Sequence, residues 1–239
     1  MVKIVLDPGH GGKDSGAVGN GIQEKDITLN IVKKIEAKLR GYKNVEIMLT
    51  RTDDTFHSLQ ERTDKANKWS ADVFLSVHVN SATVVTAKGF ETFTYPQADS
   101  KTKSFQNVLH EEVMKQISGI VDRGKKQSNF HVLRETNMTA LLSENLFINN
   151  SIDAAKLKDN GFLDKIAYGH TSGLVRFFGL QLAEDPKQVT SPLAKSPTAE
   201  QEQALFQVIC GTFNDITNAT RQVEKLKALG YDSYIKKKD

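Results

Sequence analysis

The run Val2–Leu6 (VKIVL) is apolar and β-branched, and Pro8 and Gly9 stop it at once. That pattern is a short buried strand. Gln23–Asp26 then opens a stretch with Ile27, Ile31, Ile35 and Leu39 on every fourth residue, the period of one helix face, closed by Gly41. Val45–Thr50 (VEIMLT) follows as a second strand. A strand, a helix and a strand in that order form a βαβ crossover, so part of the sheet is expected to be parallel.

The alternation continues. Ser58–Glu61 (SLQE) is a capping box that starts a helix through about Trp69. Asp72–His78 (DVFLSVH) is dense enough in apolar residues for a central strand, and Gly89–Tyr95 alternates as another. Phe105, Val108, Leu109, Val113 and Ile117 mark an amphipathic helix. Phe130–Leu133 and Thr139–Glu144 are expected to be short strands around a turn. Another helical patch starts at Ser151, and Phe162, Ile166, His170, Leu174 and Phe177 form the last helix before the composition changes. The expected fold class is α/β: a twisted, partly parallel sheet with helices on both faces, plus a small C-terminal βαβ unit.

The change comes at 181–203, where three of the five prolines (Pro186, Pro192 and Pro197) lie among Lys, Ser, Thr and Glu. This is expected to be a linker between a domain over 1–180 and a unit over 204–239. In the latter, Phe206–Gly211 and Tyr231–Ile235 are expected strands around a helix over Asp215–Leu229. One such unit is too small to bury a core alone.

Cys210 is the single cysteine, so no intrachain disulfide forms. No segment has the roughly 18 apolar residues of a membrane span, and no signal-peptide pattern is present, so synthesis in the cytoplasm and action after release are expected. A net charge of +3 is too small to indicate nucleic acid.

Four residues lie at element boundaries with chemistry to offer. His10 and His78 each end a strand and are followed by small residues; Glu24 stands at the start of the first helix; Glu144 ends an otherwise apolar strand. Ligands collect at the carboxyl edge of open α/β sheets. On neighbouring parallel strands, His10 and His78 come within roughly 5–10 Å of each other, and the intervening helix returns Glu24 to the same edge. Two imidazoles and a carboxylate with one open position form the ligand set of a catalytic zinc site. A carboxylate at a buried strand tip is costly unless it is paired or used, and Glu144 is suited to a general base. The bland alternative for His10 is a hydrogen-bonded loop histidine.

These residues resemble a family. Asp7-Pro8-Gly9-His10-Gly11-Gly12, Glu24, Ser58-Leu59 through Arg62, Ala66-Asn67, Ser76 to Ser81, Val132-Leu133-Arg134 and Leu142 to Asn149 are similar to the zinc-dependent N-acetylmuramoyl-L-alanine amidases of the third amidase family, found as bacterial autolysins and phage endolysins. The resemblance covers about 1–180 and is nearest to amidases of spore-forming bacilli. It implies Zn2+ held by His10, Glu24 and His78, Glu144 as catalytic carboxylate, and hydrolysis of the amide between N-acetylmuramic acid and L-alanine in peptidoglycan. Ser15 and Thr139 stand where the family usually or often has proline.

Asn80, Arg134 and His131 are further candidates for substrate binding, Arg134 through a peptide-stem carboxylate. Their alternatives are a turn asparagine, a surface ion pair and a histidine in an alternating strand. His170 is expected in the core or supporting a ligand, His57 and His110 facing solvent, and Trp69 in the core. The stretch 204–239 resembles half of a sporulation-related (SPOR) glycan-binding repeat, which implies a homodimer completing the repeat from two chains. A zinc peptidase or deacetylase on the same polymer, or a non-catalytic wall-binding protein, are the competing functions.

Overall fold

Val2–Leu6 opens the strand from which the sheet is laid out. A computed structural model describes residues 1–183, 215–228 and 235, in two units, Met1–Asp185 and Pro186–Asp239. In the first unit β1 (Val2–Pro8) leads through a small hairpin, β2 (Val18–Gly19) and β3 (Ile22–Gln23), into α1 (Glu24–Leu39) and β4 (Val45–Leu49). Then come α2 (Leu59–Lys68), β5 (Val73–Asn80), β6 (Phe90–Thr94), α3 (Ser100–Gln116) and β7 (Asp122–Gln127). The unit continues with α4 (His131–Arg134), β8 (Thr139–Phe147), α5 (Ser151–Leu157) and α6 (Asn160–Phe178).

Six of these strands form one sheet in the order β4-β1-β5-β8-β6-β7. The first four are mutually parallel, β6 is antiparallel to β8, and β7 is parallel to β6. The expected fold class is therefore the observed one. β1, β5 and β8 are apolar at successive positions because both of their faces are covered. Ile4, Leu6, Leu75, Val77 and Leu141 pack on one side with Ile31 and Ile35 of α1, Leu109 of α3 and Ile166 of α6. Val5, Phe74, Ala140 and Leu142 pack on the other with Ala66 of α2 and Val132 and Leu133 of α4. Phe74, Phe90 and Phe105 are fully buried, each worth about 1.5–3 kcal/mol of burial.

Local signals set the helix ends and spacings. Ser58 and Glu61 form the reciprocal capping box of α2. α6 lies close against α3 because Gly169 has no side chain: a Cβ there would meet the Val113 Cα at 2.6 Å.

Three expectations need correction or extension. Phe130–Leu133 is not a strand; Phe130 caps the single-turn helix α4. Val132 and Leu133 reach the second core in that conformation, and so short an apolar run carries no period to separate helix from strand. β7 (DRGKKQ) has no apolar residue to announce it; it is an edge strand, where charged side chains are at home. β8 continues beyond Glu144 to Phe147, through a register irregularity opposite His78 and Asn80.

In the second unit, the helix expected over Asp215–Leu229 is α7 (Ile216–Ala228). Most of the expected linker, and the strands expected over 206–211 and 231–235 apart from residue 235, lie outside the described residues.

Candidate active site

The site begins with the way β1 ends. Two buried arginines clamp its last carbonyls: Arg51 donates to the Pro8 and Gly9 oxygens at 3.0 and 2.8 Å, and Arg62 to those of Pro8 and His10 at 2.8 and 2.6 Å. Arg62 also bonds the buried Asp7 carboxylate at 2.7 Å, which accepts from Thr50 Oγ1 and Ser76 Oγ as well. Burial works to raise the Asp7 carboxyl, but the Arg62 guanidinium and the two hydroxyls hold it below the usual carboxylate range. So clamped, His10 takes a left-handed φ of 62°, a conformation that costs of order 1–3 kcal/mol unless its surroundings impose it.

His10 thereby turns onto Glu24. Its Nδ1 lies 2.9 Å from Asp14 Oδ2, leaving Nε2 3.1 Å from Glu24 Oε2. His78, on the neighbouring strand, places Nδ1 2.9 Å from Glu24 Oε1. The two rings meet edge to face with centroids 4.9 Å apart. Gly9 permits this approach, since a Cβ there would meet His78 Cε1 at 2.3 Å.

Glu24 is the first residue of α1 and is buried. Its carboxylate also accepts the backbone N–H groups of Ala17 and Val79. Burial works to raise the Glu24 carboxyl, but the hydrogen bonds with His10 and His78 hold it far below the usual range. Burial likewise works to lower the His10 imidazole, and Glu24 and Asp14 overturn this and raise it.

One ligand atom from each of His10, Glu24 and His78 lies within 4.8 Å of the others. Two imidazole nitrogens and a carboxylate oxygen suit a divalent transition ion such as zinc. Asp14 is the kind of partner that fixes the tautomer and direction of a ligating imidazole.

Glu144 stands directly across from His78 in the β5–β8 register, and Glu91 of β6 directly across from Glu144. Residues opposite one another share a sheet face, so His78, Glu144 and Glu91 form a row at one edge. Glu144 Oε2 is buried and has no hydrogen-bond partner among the described residues. Burial, and then the negative charges of Glu24 and Glu91, raise the Glu144 carboxyl well above its ordinary value.

The remaining candidates divide. Asn80 lies in the same region, its Nδ2 donating to Glu91 Oε1 at 2.7 Å. Arg134 does not. It lines a cavity with Thr139 and Ala140, at the start of the strand that carries Glu144 and about 16 Å before it at strand spacing. There it pairs with Glu135 at 2.7 Å and bonds Asn129. His131 begins α4 rather than lying in a strand, and its buried Nε2 has no partner among the described residues.

His110 is not solvent-facing: it is buried between Thr92 Oγ1 and Asp122 Oδ1, at 3.0 and 2.8 Å. His57 is partly exposed beside Lys65. His170 is in the core, bonded to Ser143 Oγ at 2.9 Å, with burial lowering its imidazole to about 4. Trp69 packs at the edge of the second core.

Asp7, Asp14, Arg51 and Glu91 escaped the sequence reading as site residues. Asp14 had a signal, four residues after His10; the others are made important only by pairing across distant segments.

Comparison with known proteins supplies the family. Residues 4–176 match the family described as N-acetylmuramoyl-L-alanine amidase. The whole chain is 42% identical to 86% of a Bacillus subtilis (strain 168) protein named sporulation-specific N-acetylmuramoyl-L-alanine amidase. It is 48% identical over 186 residues to the endolysin of Bacillus phage SPP1, covering 76% of this chain and 68% of that one. The solved catalytic domain of CwlV, an N-acetylmuramoyl-L-alanine amidase from Bacillus (Paenibacillus) polymyxa var. colistinus, is similar with a TM-score of 0.72 and 38% identity, over 76% of this chain and 100% of that one. A strand-end histidine pair, a buried glutamate between them and these matches lead to one conclusion: the chain belongs to the N-acetylmuramoyl-L-alanine amidase family and is an enzyme of that class.

Proposed function

We propose that the chain hydrolyses the muramoyl–L-alanine amide of peptidoglycan as a zinc enzyme, with His10, Glu24 and His78 holding the metal and Glu144 carrying the proton. The observation that carries this reading is the convergence of three ligand atoms within 4.8 Å on an edge where Glu144 keeps a buried oxygen with no hydrogen-bond partner among the described residues. Zinc bound there would polarise the scissile carbonyl and make a water acidic enough to attack near neutral pH.

The rest falls to side chains. Glu144 takes the proton of the attacking water and returns it to the alanine amine as the C–N bond breaks. Burial, Glu24 and Glu91 raise its proton affinity, and the charge of a bound metal would oppose them, leaving a carboxylate that can accept the proton and release it again. Asp14 fixes the direction of His10, and the Arg51–Arg62 clamp fixes its backbone.

Product analysis on purified peptidoglycan tests the reading. New L-alanine amino termini with unchanged sugar reducing ends are expected, and their loss on chelation. Cleavage within the stem peptide, or release of acetate, would replace the amidase reading with a peptidase or a deacetylase.

The stretch 204–239 is assigned to glycan binding as a SPOR-like half repeat, completed by a second chain. α7 supports this only as a helix in the expected place. A dimer mass by light scattering of the full chain at micromolar concentration is expected, and a monomer mass would remove the pairing.

A further inference from the structure

We propose that Arg123, with Lys126 beside it, is a subsite for a free carboxylate on the peptide stem, on the leaving-group side of the scissile amide; this rests on the amidase reading above. The strand order gives the direction. His10 follows β1, His78 lies near the end of β5, Glu144 lies on β8, and β6 and β7 follow on the far side. Glu144 delivers its proton to the leaving amine, so the stem departs from Glu144 toward β6 and β7. β7 starts at the edge where β8 carries Glu144, because β7 runs parallel to β6 and β6 antiparallel to β8.

Arg123 is held there ready for use. Its Nε bonds Glu91 Oε2 at 2.8 Å, and its guanidinium carbon lies 4.7 Å from the centre of the Phe147 ring. Its two terminal nitrogens make no hydrogen bond among the described residues. The side chain is 32% exposed, against 5% for Glu91. Lys126 Nζ pairs with the same Glu91 oxygen, and Asn80 fixes the other. Two cations thus share one buried carboxylate.

The nearby Asp122 is engaged with His110, and Lys125 with Asn107. The excess positive charge is carried at this edge by a planar fork held by Glu91 and the Phe147 ring. Such a fork matches a carboxylate through two parallel N–H···O bonds. Two strand spacings separate Glu144 from β7, roughly 10 Å. A stem residue advances the chain by about 3.5 Å, and an arginine side chain spans most of the remainder. The carboxylate recognised is therefore one or two residues beyond the alanine.

The test uses the zinc-loaded full chain and two soluble substrates. Both are N-acetylmuramoyl-L-alanyl dipeptides, one with a free carboxylate on the residue after alanine and the other with the carboxamide. The wild type is expected to favour the acid by about 10- to 100-fold in kcat/KM, the value of a charge-assisted pair. Arg123→Gln should bring the ratio close to one by losing activity on the acid alone, and Arg123→Lys should leave it between the two.

Because the readout is a ratio, a partly unfolded variant does not disturb it. A wild-type ratio near one, or a ratio unchanged in Arg123→Gln, overturns the subsite while leaving the amidase reading intact. A wild type that cleaves neither substrate removes both.

Discussion

Asp7 and Glu144 are both carboxylates near the carboxyl ends of parallel strands, separated only by β5, and they have opposite fates. Asp7 accepts from a guanidinium and two hydroxyls and is held ionised. Glu144 has a buried oxygen with no donor among the described residues and is pushed toward its neutral form. One sheet therefore holds a carboxylate used as structure and another left available for proton transfer. The difference is the supply of donors: Thr50, Arg62 and Ser76 converge on Asp7, whereas the groups facing Glu144 across its strand are His78, directed at Glu24, and Glu91, of like charge.

This contrast is open to direct attack. The largest effect is expected at Glu144: Glu144→Gln should lower kcat by about 1,000-fold or more, losing general acid–base catalysis worth 10²–10⁴, while zinc content stays unchanged. A variant with near-normal turnover would remove Glu144 from the chemistry. Next comes Asp7→Ala, which leaves the buried Arg62 charge uncompensated and should cost about 3–5 kcal/mol in urea unfolding. A loss below about 1 kcal/mol would mean that the clamp does not depend on its carboxylate.

Asp14→Ala should keep the fold and weaken zinc binding about 10- to 100-fold in a competition titration; unchanged affinity would separate Asp14 from the site.

The smallest effect is the most discriminating. In metal-stripped protein, Glu144→Gln should raise the melting temperature at pH 7, by about 2–4 °C for each kcal/mol gained. The sign follows from the direction of the shift. A carboxyl raised in the folded state stabilises fully below its unfolded value near pH 4.3, and this is lost as pH rises through the folded value. Wild type and variant should therefore converge toward pH 4. Asp7 has the opposite sign: its contribution is present above about pH 4 and is lost as pH falls through its depressed value. A melting difference independent of pH would show that Glu144 is not held neutral.

Much of the sheet was legible because β1, β5 and β8 are continuous apolar runs covered on both faces, and the capping box of α2 is a local signal. The positions of His10, Glu24 and His78 were legible too, since each stands near a readable element end; Glu144 closes the readable apolar run, although β8 continues to Phe147. What escaped was long-range or edge-bound. β7 carries Asp, Arg, Gly, Lys and Gln and has no apolar pattern. Arg134 was read as a carboxylate partner from its local sequence alone; the structure sets it by the start of β8, whereas Arg123 and Lys126 pair with Glu91, across from Glu144. His110 is buried and hydrogen-bonded to an aspartate on that same unreadable strand.

Zinc content and turnover measured on the same samples test the central claim most directly. Wild-type protein is expected to carry one zinc per chain and to cleave muramoyl–L-alanine amides, with both properties lost on chelation and restored by zinc; His10→Ala and His78→Ala should bind none. Metal-stripped protein that cleaves at the full rate, or zinc retained at full occupancy in those two variants, would contradict it.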